Sequence, residues 1–252
     1  MAATKRRKGA GSACDLHGTV ACEACHGRGH GEWGALDDAS LLVLNRTRQV
    51  REYSPGDLIF AQGSSCAGLF CLDAGDIALR KSDDHGASGI VRMARAGQTI
   101  GYRALFSGGP YLASAEALTP STVCFIPSAT VRELIERNAT LAYRFLKRFA
   151  DDLRDSEEQR LHAQSLSTRA RLADYLLRLK DRDGSVADDG AIMLELPLSR
   201  TDLAALLGTR RESIARAIRA LQDAGVAQFE GRAVRIPDLD AHFDDLEGPP
   251  VT

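Results

Sequence analysis

The sequence predicts an α+β chain: a many-stranded β domain, then a long helix, then a small helical domain closed by a β-wing. Three observations predict it. Residues 37–127 alternate short apolar runs with Gly- or Pro-marked turns, the pattern of an all-β barrel or sandwich. Residues 139–167 run without Gly or Pro, in helical period. The last third carries two short helical segments followed by "VAQFEGRAVRIP", a hairpin, which together make a winged-helix pattern.

Taken in order, residues 1–36 are Gly-rich and polar with little periodicity, and read as a loop-like arm. The arm opens basic, "MAATKRRKGAGSACDLHG", but no apolar stretch follows, so export is not expected. No apolar run approaches the ~18–20 residues of a membrane helix. The chain is 44% apolar and 26% charged with net charge −2, so no bulk charge names a partner. A cytoplasmic location without membrane contact is the expectation. Its six cysteines, Cys14, Cys22, Cys25, Cys66, Cys71 and Cys124, are then expected to stay reduced.

In residues 37–127, turns at "SPGD", "QGSS", "DAGD", "DDHG", "RAGQ" and "SGGP" separate the runs "LIFA", "GLFCL", "IALRK", "IVRMA" and "TVCFI". From residue 128 to 166 a short helix, "TVRELIERN", leads into the long one. There Leu141, Phe145, Phe149 and Leu153 recur every four residues as an apolar stripe. A lone helix cannot bury such a stripe, so it packs on a second copy or on its own domain. Residues 167–252 begin with a helix, "TRARLADYLLRLKDR", and a strand, "AIMLELPLSR", before the two short helices.

"RTDLAALLGTRRESIARAIRAL" has helix–turn–helix spacing. Ala204 is small where two helices approach, Gly208 suits a turn with positive φ, and Ile214 anchors the second helix. On that helix Ile214, Ala217, Ile218 and Leu221 share one face, while Arg211, Glu212, Ala215 and Arg216 share the other. Apolar behind and Arg/Glu in front is the layout of a recognition helix in the major groove. Arg210, Ser213 and Arg200 are further candidate DNA contacts. Residues 199–235 hold seven arginines and four acids, a local charge of +3 in a chain of −2. A solvated charged face is the bland alternative. No nucleophile–base set, phosphate loop or catalytic metal motif is present, so an enzyme is not expected.

Arm, roll, long helix and winged helix–turn–helix, in this order, resemble the Crp/Fnr superfamily of bacterial transcription regulators over residues 37–237. The specific stretches are "YSPGDLIFAQG", "AGQTIGY" and "LSRTDLAALLGTRRESIARAIRALQDAG". The resemblance implies a cyclic-nucleotide-binding-like β-roll (a jelly roll), a homodimer with the long helix as its seam, and RNA polymerase as a partner. Cyclic-nucleotide binders carry a Gly-Glu pair for the ribose and an Arg for the phosphate. Here Tyr102 follows Gly101, and Tyr111 follows Pro110 where the Arg belongs. A phosphate buried without that cation would lack its partner, so no cyclic nucleotide is expected.

Cys22 and Cys25, two residues apart with His26 and His30 close behind, have metal-ligand spacing. The oxygen-sensing branch of the superfamily, typified by the fumarate and nitrate reduction regulator, holds a [4Fe–4S] cluster. Three of its cysteines come from the arm and one from a "V-C-x-I-P" strand. "STVCFIP" puts Cys124 at the strand position, and Cys14, Cys22 and Cys25 complete four. The family's third arm cysteine lies downstream of its Cys-x2-Cys pair. Here "HGRGHGEWGAL" holds none, so Cys14, eight residues upstream of Cys22, or else His26 or His30, must serve.

The rivals are zinc on Cys22, Cys25, His30 and Cys14 or Cys124, or a regulator answering nitric oxide, haem or thiol redox. "CEACHGRG" also fits the zinc repeat of DnaJ-type chaperones, which needs several copies where this chain has one. Cys71, alternating with Leu69, reads as a packed core thiol, and Cys66 as a turn residue. Asp151, Asp152, Asp155, Glu157 and Glu158 read as an acidic run that weakens a helix–helix dimer, or as a solvated face. Arg211-Glu212-x-x-x-Arg216 resembles the catabolite-activator pattern, which implies half-sites nearer TGTGA than TTGAT.

Overall fold

The computed structural model describes Cys22, Cys25 and residues 31–84 and 88–237. Eight strands form the first domain: β1 (Gln49–Tyr53), β2 (Leu58–Phe60), β3 (Gly68–Ala74), β4 (Asp76–Ser82), β5 (Ser88–Arg95), β6 (Thr99–Ile100), β7 (Ser114–Ala117) and β8 (Ser121–Pro127). Each of the five apolar runs read from the sequence overlaps one of them. They pair antiparallel into two four-stranded sheets, β1-β8-β3-β6 and β2-β7-β4-β5. Residues of both sheets, among them Phe60, Phe70, Leu72, Ile77, Val123 and Phe125, share the core between them.

Side chains alternate along a strand, so β3 and β8 each carry two rows. Phe70 and Leu72 with Val123 and Phe125 point into the roll, while Leu69 and Cys71 with Cys124 and Ile126 face a second layer. That layer contains a 3₁₀ turn (Glu32–Ala35), α1 (Asp38–Thr47), α3 (Ser128–Arg137) and α4 (Ala139–Ser165). Helix α1 and α2 (Tyr102–Ser107) lie where the sequence reading placed only strands. Asp37 caps α1 by accepting from the Ser40 N–H at 2.8 Å, and Leu41 and Leu44 face inward three apart. A run as short as "LLVL" does not distinguish helix from strand by its pattern alone.

Helix α4 is capped by Asn138, whose side chain accepts from the Leu141 N–H. Its apolar stripe divides. Leu141 and Phe145 are buried within the protomer, Phe149 packs partly against Tyr102 and Phe106, and Leu153 is 62% exposed. A spacing of four overshoots the 3.6-residue turn by ~40° per step, so Leu153 lies ~120° around the helix from Leu141. The expectation of one dimerising stripe is therefore corrected: Leu141 and Phe145 are taken up by the protomer's own core. Tyr143, Leu146, Leu153 and Leu161 make a different, exposed face. Asp152 likewise leaves the acidic run, being buried.

The C-terminal domain contains α5 (Thr168–Asp183), β9 (Ser185–Val186), β10 (Ile192–Glu195), α6 (Arg200–Leu206), α7 (Arg211–Asp223), β11 (Gln228–Glu230) and β12 (Ala233–Ile236). Its sheet runs β11-β12-β10-β9. Leu172, Leu176, Leu203, Ile214, Leu221 and Val234 form its core, which Ala78 and Ile90 of the roll join. Arg80–Asp202 at 2.6 Å and Arg95–Asp183 at 2.7 Å bind the two domains. No described helix is long and apolar enough to cross a membrane.

The chain has one tryptophan, Trp33, whose ring meets Phe145 edge-on at 5.7 Å. Phe145→Ala is expected to lower the unfolding free energy by ~3–5 kcal/mol, the cost of an uncollapsed aromatic cavity. Urea unfolding followed by Trp33 fluorescence measures it, and an unchanged midpoint would contradict this packing.

Candidate thiol site and DNA-reading helix

Between the arm, α1 and the outer face of the first sheet lies a cavity of about 190 Å³. Cys22, Cys25, Cys71 and Cys124 all line it, with Trp33, Arg48 and Asp73. Sheet and arm position these thiols differently. Cys71 and Cys124 are direct partners in the β3–β8 register. Cys22 is anchored to α1, its backbone N–H donating to Asn45 Oδ1 at 3.0 Å. The Cys25 thiol donates to Asp73 Oδ1 at 3.2 Å. Arg48 Nη1 donates to Cys124 Sγ at 3.5 Å.

Three of the four expected ligands, Cys22, Cys25 and Cys124, thus meet at one cavity. Cys14, His26 and His30 lie outside the described residues. Cys71 is buried, as a core thiol should be, and lines the cavity as well. Cys66 is half-buried just before β3, its thiol donating to Gly68 O at 3.6 Å.

Among the described residues no three His, Cys, Asp or Glu form a group closed around one metal-ion position. The thiols line the walls of a cavity larger than the ~150 Å³ that admits benzene. A single zinc needs its sulfurs at ~2.3 Å from one point, whereas an iron–sulfur cluster puts its own bulk between four thiolates. The four cysteines are the donor type such a cluster takes, and the cavity leaves space between them. Burial pushes the Cys71 thiol well up, and the nearby Cys124, Cys25 and Cys22 add to it. Burial also raises Cys124, against the pull of Arg48. Both thiols therefore hold their protons until a cation displaces them.

Tyr102 and Tyr111, at the two positions where cyclic-nucleotide binders carry their contacts, are engaged otherwise. The Tyr111 ring stacks on Phe60 at 4.1 Å inside the roll, and its hydroxyl donates to Gly68 O at 2.8 Å. Tyr102 donates its hydroxyl to Asp152 of α4. Asp152 also accepts from Arg92 at 3.1 Å and Arg103 at 2.9 Å, and it forms an ion pair with Arg148 at 3.1 Å. Burial alone would raise the Asp152 carboxyl, but Arg92, Tyr102, Arg148 and Arg103 outweigh it and hold it below the ordinary 3.8. The sequence reading missed this knot, because its members lie 49 to 60 residues from Asp152 except for Arg148.

In the C-terminal domain Ala204 is buried, Gly208 has φ +60° and Ile214 is fully buried, as the spacing predicts. On α7, Ile214, Ala217, Ile218 and Leu221 are buried, while Arg211, Glu212, Ala215 and Arg216 are exposed. Arg210 is exposed at the helix start, and half-buried Ser213 accepts from Arg216 at 3.2 Å. Arg200 departs from the expectation of a displayed DNA contact. Its guanidinium lies over the Phe229 ring at 5.2 Å and donates to Gly231 O at 3.1 Å, so it braces the wing.

A thiol-bearing β-roll fastened to a long helix, followed by a winged helix–turn–helix with an exposed Arg-rich face, defines a DNA-binding regulator. Residues 50–138 match the cyclic nucleotide-binding domain family and residues 170–241 the Crp-like helix-turn-helix domain family. Transcriptional activator protein FnrA of Stutzerimonas stutzeri is 26% identical over 81% of this chain and 80% of its own length. A probable transcriptional activator of Rhizobium leguminosarum bv. viciae is 28% identical over 88% and 91%. The structure of FixK2 from Bradyrhizobium japonicum superposes with a TM-score of 0.70 at 22% identity, covering 80% of this chain and 98% of that one. The chain belongs to the Crp/Fnr family of transcription regulators, which bind DNA as dimers and are not enzymes.

Asp152→Asn would leave three arginines around an uncharged group, at an expected cost of about 3–5 kcal/mol at neutral pH. Because the folded carboxyl titrates below its unfolded value, its contribution is full above the unfolded pKa of ~3.9 and fades as pH falls through the lower folded one. The difference between wild-type and variant urea midpoints should therefore shrink on acidification below about pH 4. A difference that stays constant with pH would contradict the assignment.

Proposed function

We propose that this regulator senses oxygen through a [4Fe–4S] cluster held by arm and β-roll thiolates, and that its dimerisation and DNA affinity follow the state of that site. One observation supports this above all. Cys22 and Cys25 of the arm line the same cavity as Cys124, about a hundred residues on. A cluster bound there would supply redox-active iron that oxygen can attack, held by the thiolates of the protein.

The chain's own residues carry the consequence outward. Trp33 lines the cavity and meets Phe145 of α4, while Arg144 of α4 donates to Gly31 O at 2.9 Å and Asn138 to Ala35 O at 3.1 Å. Ligation through Cys22 and Cys25 fixes the arm that these contacts bind to the helix. The dimer seam in this reading is the exposed face Tyr143, Leu146, Ala150 and Leu153, whose 3-4-3 spacing is that of a coiled coil. Tyr111, at the position where the resemblance expects the phosphate's Arg, stacks on Phe60, which supports a reading without a cyclic nucleotide.

Anaerobic reconstitution should give four iron and four sulfide per protomer and a visible absorbance that air bleaches, with DNA affinity falling in parallel. Protein that takes up neither iron nor sulfide would overturn the sensor reading. Zinc alone, at one per protomer, would replace it with a structural arm.

The exposed Arg211, Glu212 and Arg216 are assigned to base edges, with Arg bidentate to guanine and Glu accepting from cytosine, on TGTGA-like half-sites one DNA turn apart, where RNA polymerase is met. Arg211→Ala should weaken binding by about 1–3 kcal/mol and relax selection at one guanine. Site selection from random DNA reads this directly, and an unchanged motif would refute the role.

A further inference from the structure

We propose that Cys71 is the fourth thiolate of the cluster site, standing in for the downstream arm cysteine this chain lacks. The proposal rests on the cluster reading above and names its ligand set as Cys22, Cys25, Cys71 and Cys124.

Three observations carry it. Cys71 and Cys124 are direct cross-strand partners on the outer face of one sheet. Such partners have Cβ atoms ~4.5–5.5 Å apart, so two sulfurs reach the same space from one rigid support. Both also line the cavity that Cys22 and Cys25 enter from the arm. Finally, Cys25 already reaches β3: its thiol bonds to Asp73, two residues beyond Cys71 and lining the same cavity.

The result is a two-plus-two cage, with one pair in the sheet and one in a Cys-x2-Cys turn of the arm. On ligation each of the four thiols gives its proton to solvent, and no oxidant or reductant is needed for that step. This arrangement differs from three-plus-one ligation in what loss of the metal leaves behind. Only two bonds hold the arm, and the sheet keeps its own pair of thiols side by side.

The test uses full-length protein, reconstituted anaerobically with ferrous and ferric iron in equal amounts and sulfide, as wild type, Cys14→Ser, Cys71→Ser and Cys71→Ala. Iron and sulfide per protomer and the visible circular dichroism spectrum are the readouts. The alanine variant keeps a small apolar residue at the buried site, and apo-protein urea midpoints separate lost folding from a lost ligand. Cys14→Ser should match wild type, while both Cys71 variants should lose more than half of the bound iron and change the spectrum. Cys71 variants that keep wild-type iron and spectrum would overturn the proposal, and doubly so if Cys14→Ser loses them. Wild-type protein that binds no iron would instead overturn the cluster reading itself. One zinc per protomer, lost in the Cys71 variants, would overturn that reading while upholding Cys71 as a ligand.

Discussion

The register of β3 against β8 sets both faces of the sensor domain at once. Phe70 stands opposite Phe125, Cys71 opposite Cys124 and Leu72 opposite Val123. Since side chains alternate, this single alignment sends aromatic and aliphatic groups into the roll and both thiols outward. A slip of one residue would reverse every one of them, placing sulfur in the aromatic core and phenyl rings against the helices. The inward row, with Phe60 and Tyr111 packed against it, fills the interior of the roll with aromatic rings. The outward row becomes the floor of the thiol cavity. Filling one side and equipping the other are therefore not separate adaptations.

The layer over that floor explains how a local event could be felt by a long helix. Trp33 is bonded through Nε1 to Thr99 at 2.9 Å, and Glu32 accepts from the same hydroxyl at 2.8 Å. The 3₁₀ turn is thus pinned to β6 while its indole touches α4. Further along, Asp152 is gripped by Tyr102, Arg92 and Arg103 of the roll. Beyond Asp152 the apolar residues Leu153 and Leu161 are exposed. One side of the first half of α4 is thereby joined to the sensor, while Tyr143, Leu146, Leu153 and Leu161 stay exposed.

Much of this was legible in the sequence, and the exceptions share a cause. Strands such as "GLFCL" and "TVCFI" were readable because Gly63 and Gly75 bound the first, Pro120 and Pro127 bound the second, and alternation fixes their faces. The reading helix was readable because its burial obeys one local period. The α4 stripe was misread because a spacing of four looks like one face over two turns and rotates away over four. Cys71 could be placed on the correct face, beside Leu69, but not beside Cys124, since strand register is not written in either strand alone. Asp152 looked like one of five surface acids because its partners Arg92, Tyr102 and Arg103 come from distant segments. Properties set by neighbours along the chain were visible, and those set by neighbours across the fold were not.

That distinction also bears on the reading head. Asp202 divides its carboxylate: one oxygen accepts from the Ser199 hydroxyl at 2.6 Å and from the Ser199 backbone N–H at 3.4 Å, the second bond closing the capping box of α6, and the other oxygen accepts from Arg80 of the roll at 2.6 Å. Arg80 in turn holds Glu116 at 2.6 Å. Both members of the Arg80–Asp202 pair are about four-fifths shielded, so the bond is less screened than an exposed ion pair. It also lies beside the apolar contact of Ala78 and Ile90 with the C-terminal core. Rotating the head away from the roll would open that contact and strip Asp202 of its charge partner while its role as a cap persists. The head and roll are held by coupled polar and apolar terms, so a change in their angle must break both together, as a discrete step and not a gradual drift.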